Sequence, residues 1–211
     1  MFVKDIFKLF KRSGYYGFVL AVFLLPTSEV LSEGISYDYA QADYISDTFD
    51  LNGSVRAVEG NGIGFALSLS FAPAFAVRLA VASTTFRDFH GVRVDSSKVT
   101  VLGVTGHTSV TKKTDLFANI SVIKAEITAN KDANAPSEND YSALVDLGVR
   151  HLVTDEIELE AMLSHVKVFG HTLNSTMLGG RFYFHERLSA GVSYVADDIH
   201  DSLLISARMD I

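Results

Sequence analysis

The chain has 211 residues, a length suited to a single domain, and 48% of them are hydrophobic. It contains no cysteine, which excludes a disulfide framework, a thiol nucleophile and a thiolate metal site. Its formal charge of −7 is dispersed along the chain, so the basic face that nucleic-acid binding requires is missing.

The first 32 residues differ from the rest. Lys4, Lys8, Lys11 and Arg12 precede an apolar stretch from Tyr15 to Leu25, Pro26 ends it, and Val30-Leu31-Ser32 offers compact residues to a signal peptidase. That order is the order of a secretory signal, and the apolar core is short for a membrane-spanning helix. The sequence therefore predicts a signal peptide over 1–32, cleaved before Glu33, and one domain over 33–211. Loss of Lys4, Lys8, Lys11 and Arg12 together with Asp5 and Glu29 takes the formal charge from −7 to −9.

Beyond the signal the dominant period is two, the period of a β-strand. From Gly62 to Phe71, Ile63, Phe65, Leu67, Leu69 and Phe71 alternate with Gly62, Gly64, Ala66, Ser68 and Ser70. The pattern continues with Phe75, Val77, Leu79 and Val81 against Ala76, Arg78, Ala80 and Ala82. Lys98–His107 and Leu116–Ile127 carry apolar residues on both faces, so their register stays open. Later, Val145, Leu147 and Val149 oppose Asp146, Gly148 and Arg150, and Ile157, Leu159, Ala161 and Leu163 oppose Glu158, Glu160, Met162 and Ser164. Leu188, Ala190, Val192 and Tyr194 oppose Ser189, Gly191 and Ser193. At the end, Leu203, Ile205, Ala207, Met209 and Ile211 oppose Leu204, Ser206, Arg208 and Asp210.

The smaller face chooses between a soluble sandwich and a membrane barrel. It is mostly Gly, Ala and Ser with isolated charges, which a narrow lumen accommodates while the bulky face meets lipid. The connections agree. Short ones at Ala72-Pro73-Ala74, Ser109–Thr114, Val153–Glu156 and His185-Glu186-Arg187 alternate with longer polar ones at Ser46–Asn61, Arg87–Ser97, Asn130–Asp140, Gly170–Ser175 and Ala196–Asp201. The prediction is an all-β, antiparallel up-and-down transmembrane barrel of about ten strands, with eight as the alternative. Short turns and both termini belong on the periplasmic rim. Pro73 and Pro136 fall in connections, where no ladder hydrogen bond is lost, and Phe71, Phe75, Phe182 and Phe184 flank short turns as an interfacial girdle would.

Three segments carry a family resemblance: Leu147-Gly148-Val149-Arg150-His151, Leu178-Gly179-Gly180-Arg181-Phe182-Tyr183-Phe184 and Ser206-Ala207-Arg208-Met209-Asp210-Ile211. With them the chain resembles the small porin-family outer-membrane barrels of Gram-negative bacteria over nearly all of its mature length. The resemblance implies a cell outer-membrane location, contact with outer-membrane lipid and lipopolysaccharide, and insertion by the barrel-assembly machinery. Such families end in an aromatic residue that serves as an assembly signal; this chain ends in Ile211. A monomer without cofactor or nucleic-acid partner is expected.

The inward charges are the candidate site. By alternation Arg78, Arg150, Arg181 and Arg208 point into the lumen with Asp146, Glu158, Glu160 and Asp210, and the four arginines fall within about 10 Å of the periplasmic rim at roughly 3.3 Å per residue. They are expected to form a charge network that plugs the lumen, because unpaired buried charge is costly. The expected role is envelope-structural or surface-directed through loops, with a weak passive pore for small solutes as the alternative. His90, His171 and His200, with Asp88, Asp95, Asp197, Asp198 and Asp201 nearby in sequence, have no diagnostic metal spacing. Ser164-His165 is an adjacent Ser–His pair on a strand whose side chains face opposite ways, so no lipid A-modifying or protease-like constellation is identifiable and an enzyme is not expected.

Overall fold

The computed structural model describes residues 35–49, 58–86, 94–129, 137–198 and 200–211. The predicted signal segment lies outside the described residues. Ten strands follow one another: β1 (Tyr39–Phe49), β2 (Val58–Ala72), β3 (Phe75–Phe86), β4 (Val94–Thr111), β5 (Thr114–Ala129), β6 (Glu138–Leu152), β7 (Ile157–Val168), β8 (His171–His185), β9 (Leu188–Ala196) and β10 (His200–Asp210). Each pairs antiparallel with its neighbours in sequence, and β1 pairs with β10 from Tyr39↔Asp210 to Phe49↔His200, which closes the barrel. The count is ten, not eight.

Closure follows from the pattern of side chains. An open sheet would leave two rows of unpaired backbone groups, which lipid has no means of satisfying. Along β2, Ile63, Phe65, Leu67, Leu69 and Phe71 are exposed on the outside while Gly64, Ala66 and Ser68 are buried within. Exposed Leu79, Leu102, Val122, Leu163, Leu178, Val192 and Ile205 carry the same apolar belt around the other strands. The belt ends in aromatics at both rims. Phe71 and Phe75 stack with ring centroids 6.1 Å apart beside the first periplasmic turn, and Tyr44, Tyr141 and Tyr194 are exposed near the opposite rim.

The connections are shorter than the sequence suggests. Two-residue turns join β2 to β3, β4 to β5 and β8 to β9, and residues 153–156 join β6 to β7. The expected loop Gly170–Ser175 is not a loop. Phe169 and Gly170 form a tight turn with φ of 48° and 79°, and residues 171–175 belong to β8. Positive φ at both central residues is what a two-residue hairpin demands, and phenylalanine is a poor signal for it; the Phe169 amide is held by Asp140 Oδ2 at 2.6 Å. The expected loop Ala196–Asp201 is narrower than that, because Ala196 ends β9 and β10 begins at His200. His171 and His200 are thus strand residues, whereas His90, Asp88 and the side chain of Asp95 lie outside the described residues.

The open register of β4 and β5 is now fixed. Gly103 pairs with Arg78 on one side and Ser121 on the other, so Val99, Val101, Thr105, His107, Phe117, Asn119 and Ile123 face inward. Part of the inner wall is apolar, which explains why both faces of these strands read as hydrophobic.

Candidate functional site: the lumen charges

The lumen is occupied near its periplasmic end by residues that belong to no strand. Ile35 and Tyr37, just before β1, are 6% and 7% exposed and pack with Ala76, Phe117 and Leu152 of the wall, with Met162 against them. Tyr37 stacks on His107, with ring centroids 3.7 Å apart and planes 9° apart. The Arg150 guanidinium sits over the other part of the same ring at 4.9 Å from its centroid.

Two arginines hold the backbone of this segment. Arg150 donates to the Ser36 carbonyl oxygen at 2.8 Å, and Arg208 donates to the same oxygen at 2.6 Å. A carbonyl oxygen has two lone pairs, so one acceptor satisfies both donors. The remaining valences go to carboxylates. Arg150 makes a bidentate pair with Glu158, Nε to Oε1 at 3.0 Å and Nη2 to Oε2 at 2.8 Å. Arg208 donates from Nε to Asp210 Oδ1 at 2.7 Å and lies over the Tyr39 ring at 3.9 Å. Tyr183 adds a hydroxyl to Glu158 at 3.2 Å.

The other predicted charges are placed differently from a ring of arginine–carboxylate pairs. Arg181 donates to Gln41 Oε1 at 2.9 Å and to Ser189 Oγ at 3.3 Å, neither of them an acid. Asp146 accepts from Asn119 at 3.1 Å. Arg78 lies in the field of Asp146, Glu160 and Asp43, and its Nε has no hydrogen-bond partner among the described residues. Beside these groups is a cavity of about 140 Å³ lined by Arg78, Arg181, Asp43, Asn119 and Glu160 among others, room for a few water molecules. Of the named charges, two arginines and two acids form direct pairs. The correction has a physical reason: small neighbours such as Ser68 and Gly103 flank Arg78 and bring no carboxylate to it.

A second polar group sits toward the opposite mouth. Asp47 accepts from Thr84 Oγ1 at 2.8 Å and from Ser202, and lies 3.2 Å from His200 Nε2. Ser202 Oγ is 2.8 Å from His200 Nε2, and Asp197 Oδ2 is 3.7 Å from His200 Nδ1. Sequence reading missed this cluster. His200 and Ser202 are two residues apart on a strand and therefore share a face, which is the signal that finds them. The arrangement has the members of a Ser–His–Asp triad, but Asp47 bonds the Ser202 hydroxyl directly as well as lying beside the imidazole. Its carboxylate accepts the one hydrogen bond that the Ser202 hydroxyl can donate, so the hydroxyl does not donate to the imidazole, and Ser202 is 6% exposed. The cluster reads as a wall seam. Ser164 faces inward and His165 bonds Asn174 at 2.7 Å on the outside, so that pair is indeed split. Among the described residues no three His, Asp or Glu side chains are placed to hold a metal ion.

A closed antiparallel barrel with an apolar belt, aromatic rims and a polar interior is the architecture by which strands cross the bacterial outer membrane. This is a small outer-membrane β-barrel. No family model and no curated protein sequence matches the chain. Among solved structures it is similar in fold to Neisserial surface protein A, with 10% identity and a TM-score of 0.48 over 85% of this chain and 100% of that one. It is similar also to the translocator domain of the autotransporter NalP from Neisseria meningitidis, with 13% identity and a TM-score of 0.48 over 93% and 96%. A third is Ail, the attachment invasion locus protein of Yersinia pestis, with 10% identity and a TM-score of 0.43 over 83% and 100%.

Proposed function

We propose that this barrel is a closed envelope protein, acting as a structural element or through its outer rim rather than as an open channel. One observation carries the reading: the Ser36 carbonyl is gripped by both Arg150 and Arg208, which seats Ile35 and Tyr37 across the periplasmic end of the lumen. Hydrogen bonds to charged groups contribute about 1.5–3 kcal/mol each, and the apolar packing of Ile35 and Tyr37 adds to that. A lumen of ten strands is only slightly wider than one that side chains fill, so a short segment suffices to close it.

The test is conductance in a planar bilayer of the refolded wild-type barrel beside a variant with Ile35, Ser36 and Tyr37 removed. The wild type is expected to pass little current and the variant a steady, larger one. A large steady wild-type current would refute the closed state and favour a passive pore for small solutes.

A further inference from the structure

The lysines of the barrel are distributed unlike its arginines. Arg78, Arg150, Arg181 and Arg208 face the lumen, whereas Lys98, Lys124 and Lys167 project outward, on β4, β5 and β7. Each follows the end of the apolar belt on its strand: Lys124 comes two residues after exposed Val122, Lys167 four after Leu163, and Lys98 four before Leu102. Lys124 stands ten positions beyond Thr114 and Lys167 ten beyond Ile157, each counted from the first residue of the strand at the periplasmic turn. At roughly 3.3 Å per residue and a strand tilt of about 40°, that is about 25 Å above the turns, the height of the apolar band of such barrels. The ammonium groups therefore lie at the level where the outer leaflet's headgroups begin.

Two of the three are neighbours, and Lys167 lies on the same sector two strands further round. Lys98 pairs in register with Glu126, while Lys124 is opposite Thr100 on one side and Tyr141 on the other, so Lys98 and Lys124 are diagonal neighbours about 7–8 Å apart. Lys124 bonds Glu126 at 2.8 Å and lies 5.8 Å from the centroid of the Tyr141 ring. Among the outward side chains described at this level, that leaves an excess of two positive charges on this side of the barrel. On the far side, the outward charges at the same level among the described residues are Glu59 on β2 and Asp201 on β10, both acidic. In a chain of net charge −7, three lysines gathered on one sector of the lipid-facing wall call for an anionic partner in the plane of the membrane.

We infer that Lys98, Lys124 and Lys167, with Tyr141 beside them, form a binding site for the phosphate groups of an outer-leaflet glycolipid, the phosphorylated head of lipopolysaccharide. The aromatic ring lies along the glycolipid's sugar–acyl boundary and the lysines meet its phosphates, each attracted as a basic residue is to an anionic membrane surface. This rests on the outer-membrane reading of the barrel. Fractionation and heat-modifiable gel migration of the same variants check that reading separately from lipid binding.

The experiment is native mass spectrometry of the mature barrel in uncharged detergent with bis-phosphorylated lipid A, its dephosphorylated counterpart, or inorganic phosphate as competitor. Wild type is expected to retain the phosphorylated lipid at least tenfold over the dephosphorylated one. The triple variant K98Q/K124Q/K167Q should lose that preference, while K112Q/K113Q, altered at a periplasmic turn, should keep it. Equal retention by wild type and the triple variant, or equal retention of the two lipids, would overturn the site. Full displacement of the lipid by millimolar inorganic phosphate would overturn the lipid as its ligand and leave a free-anion site.

Discussion

Buried polar groups stand toward both ends of the lumen, yet they are held by different kinds of contact. At the periplasmic end the wall residues Arg150 and Arg208 bond a backbone carbonyl of a segment outside the wall. Toward the other end Asp47, Thr84, His200 and Ser202 bond one another, and all four belong to wall strands. Glycines on β2 permit this. A Cβ on Gly62 would come within 2.7 Å of Thr84 Oγ1, so β2 leaves the space across which β3 and β1 meet. The first contact is therefore removable without opening the sheet, and the second is part of the sheet. A polar cluster in a barrel lumen is not by itself a gate; what matters is whether one partner is free to leave.

Three substitutions sharpen that contrast. The largest effect is expected for Arg150→Ala, which strands Glu158, 1% exposed, without its bidentate partner. Breaking a buried pair in this way costs roughly 3–5 kcal/mol, less where water enters. Urea unfolding should show the loss, Glu158→Ala in the same chain should recover part of it in a double-mutant cycle, and conductance should rise as the grip on Ser36 weakens. Additive losses with unchanged current would break the assignment of Arg150 as a clamp.

A smaller loss is expected for Gly148→Ala. The added methyl would lie 2.3 Å from Phe117 Cζ and 2.7 Å from the Ala161 carbonyl oxygen, displacing the ring that packs on Ile35 and Tyr37. Overpacking of this kind costs about 1–3 kcal/mol. Raised conductance together with a lowered urea midpoint would place the effect at the plug; a lowered midpoint with no change in current would confine it to the wall.

The smallest is Ser202→Ala, which removes a hydroxyl from Asp47 and His200. It is expected to lower stability by about 1 kcal/mol and to leave the current as it was, since no segment is released. A current increase matching that of Arg150→Ala would show that both ends work as gates.

Much of the fold was legible because small and bulky residues alternate so plainly in β2, β3 and β10, where a one-residue slip would turn every apolar side chain into the lumen. The register of β4 and β5 was not legible. Phe117 and Ile123 face inward for the sake of tertiary neighbours, and Phe117 packs on Ile35 and Tyr37, which precede the first strand. The Phe169–Gly170 turn was hidden for a local reason, since a phenylalanine at positive φ contradicts its own propensity. In the site, alternation placed the four arginines and also Glu158 and Asp210, the acids that pair with Arg150 and Arg208, but gave no sign of the Ser36 carbonyl. Ser36 bonds Arg150 and Arg208 across 114 and 172 residues of chain, and nothing in a short polar stretch ahead of a strand announces such a contact.

The position of the plug also bears on how the barrel is made. Some of its anchor points lie at the seam where the first and last strands meet, while Arg150 holds it from β6. Arg208 belongs to β10, the Ile211 amide donates to the Asp38 carbonyl at 2.9 Å, and Asp38 in turn accepts from the Ser70 amide of β2. A sheet still open between β1 and β10 has no complete socket for Ile35–Tyr37, and the socket is finished only by the pairing that ends the curl. Closure of the sheet and completion of that socket thus depend on the same β1–β10 pairing.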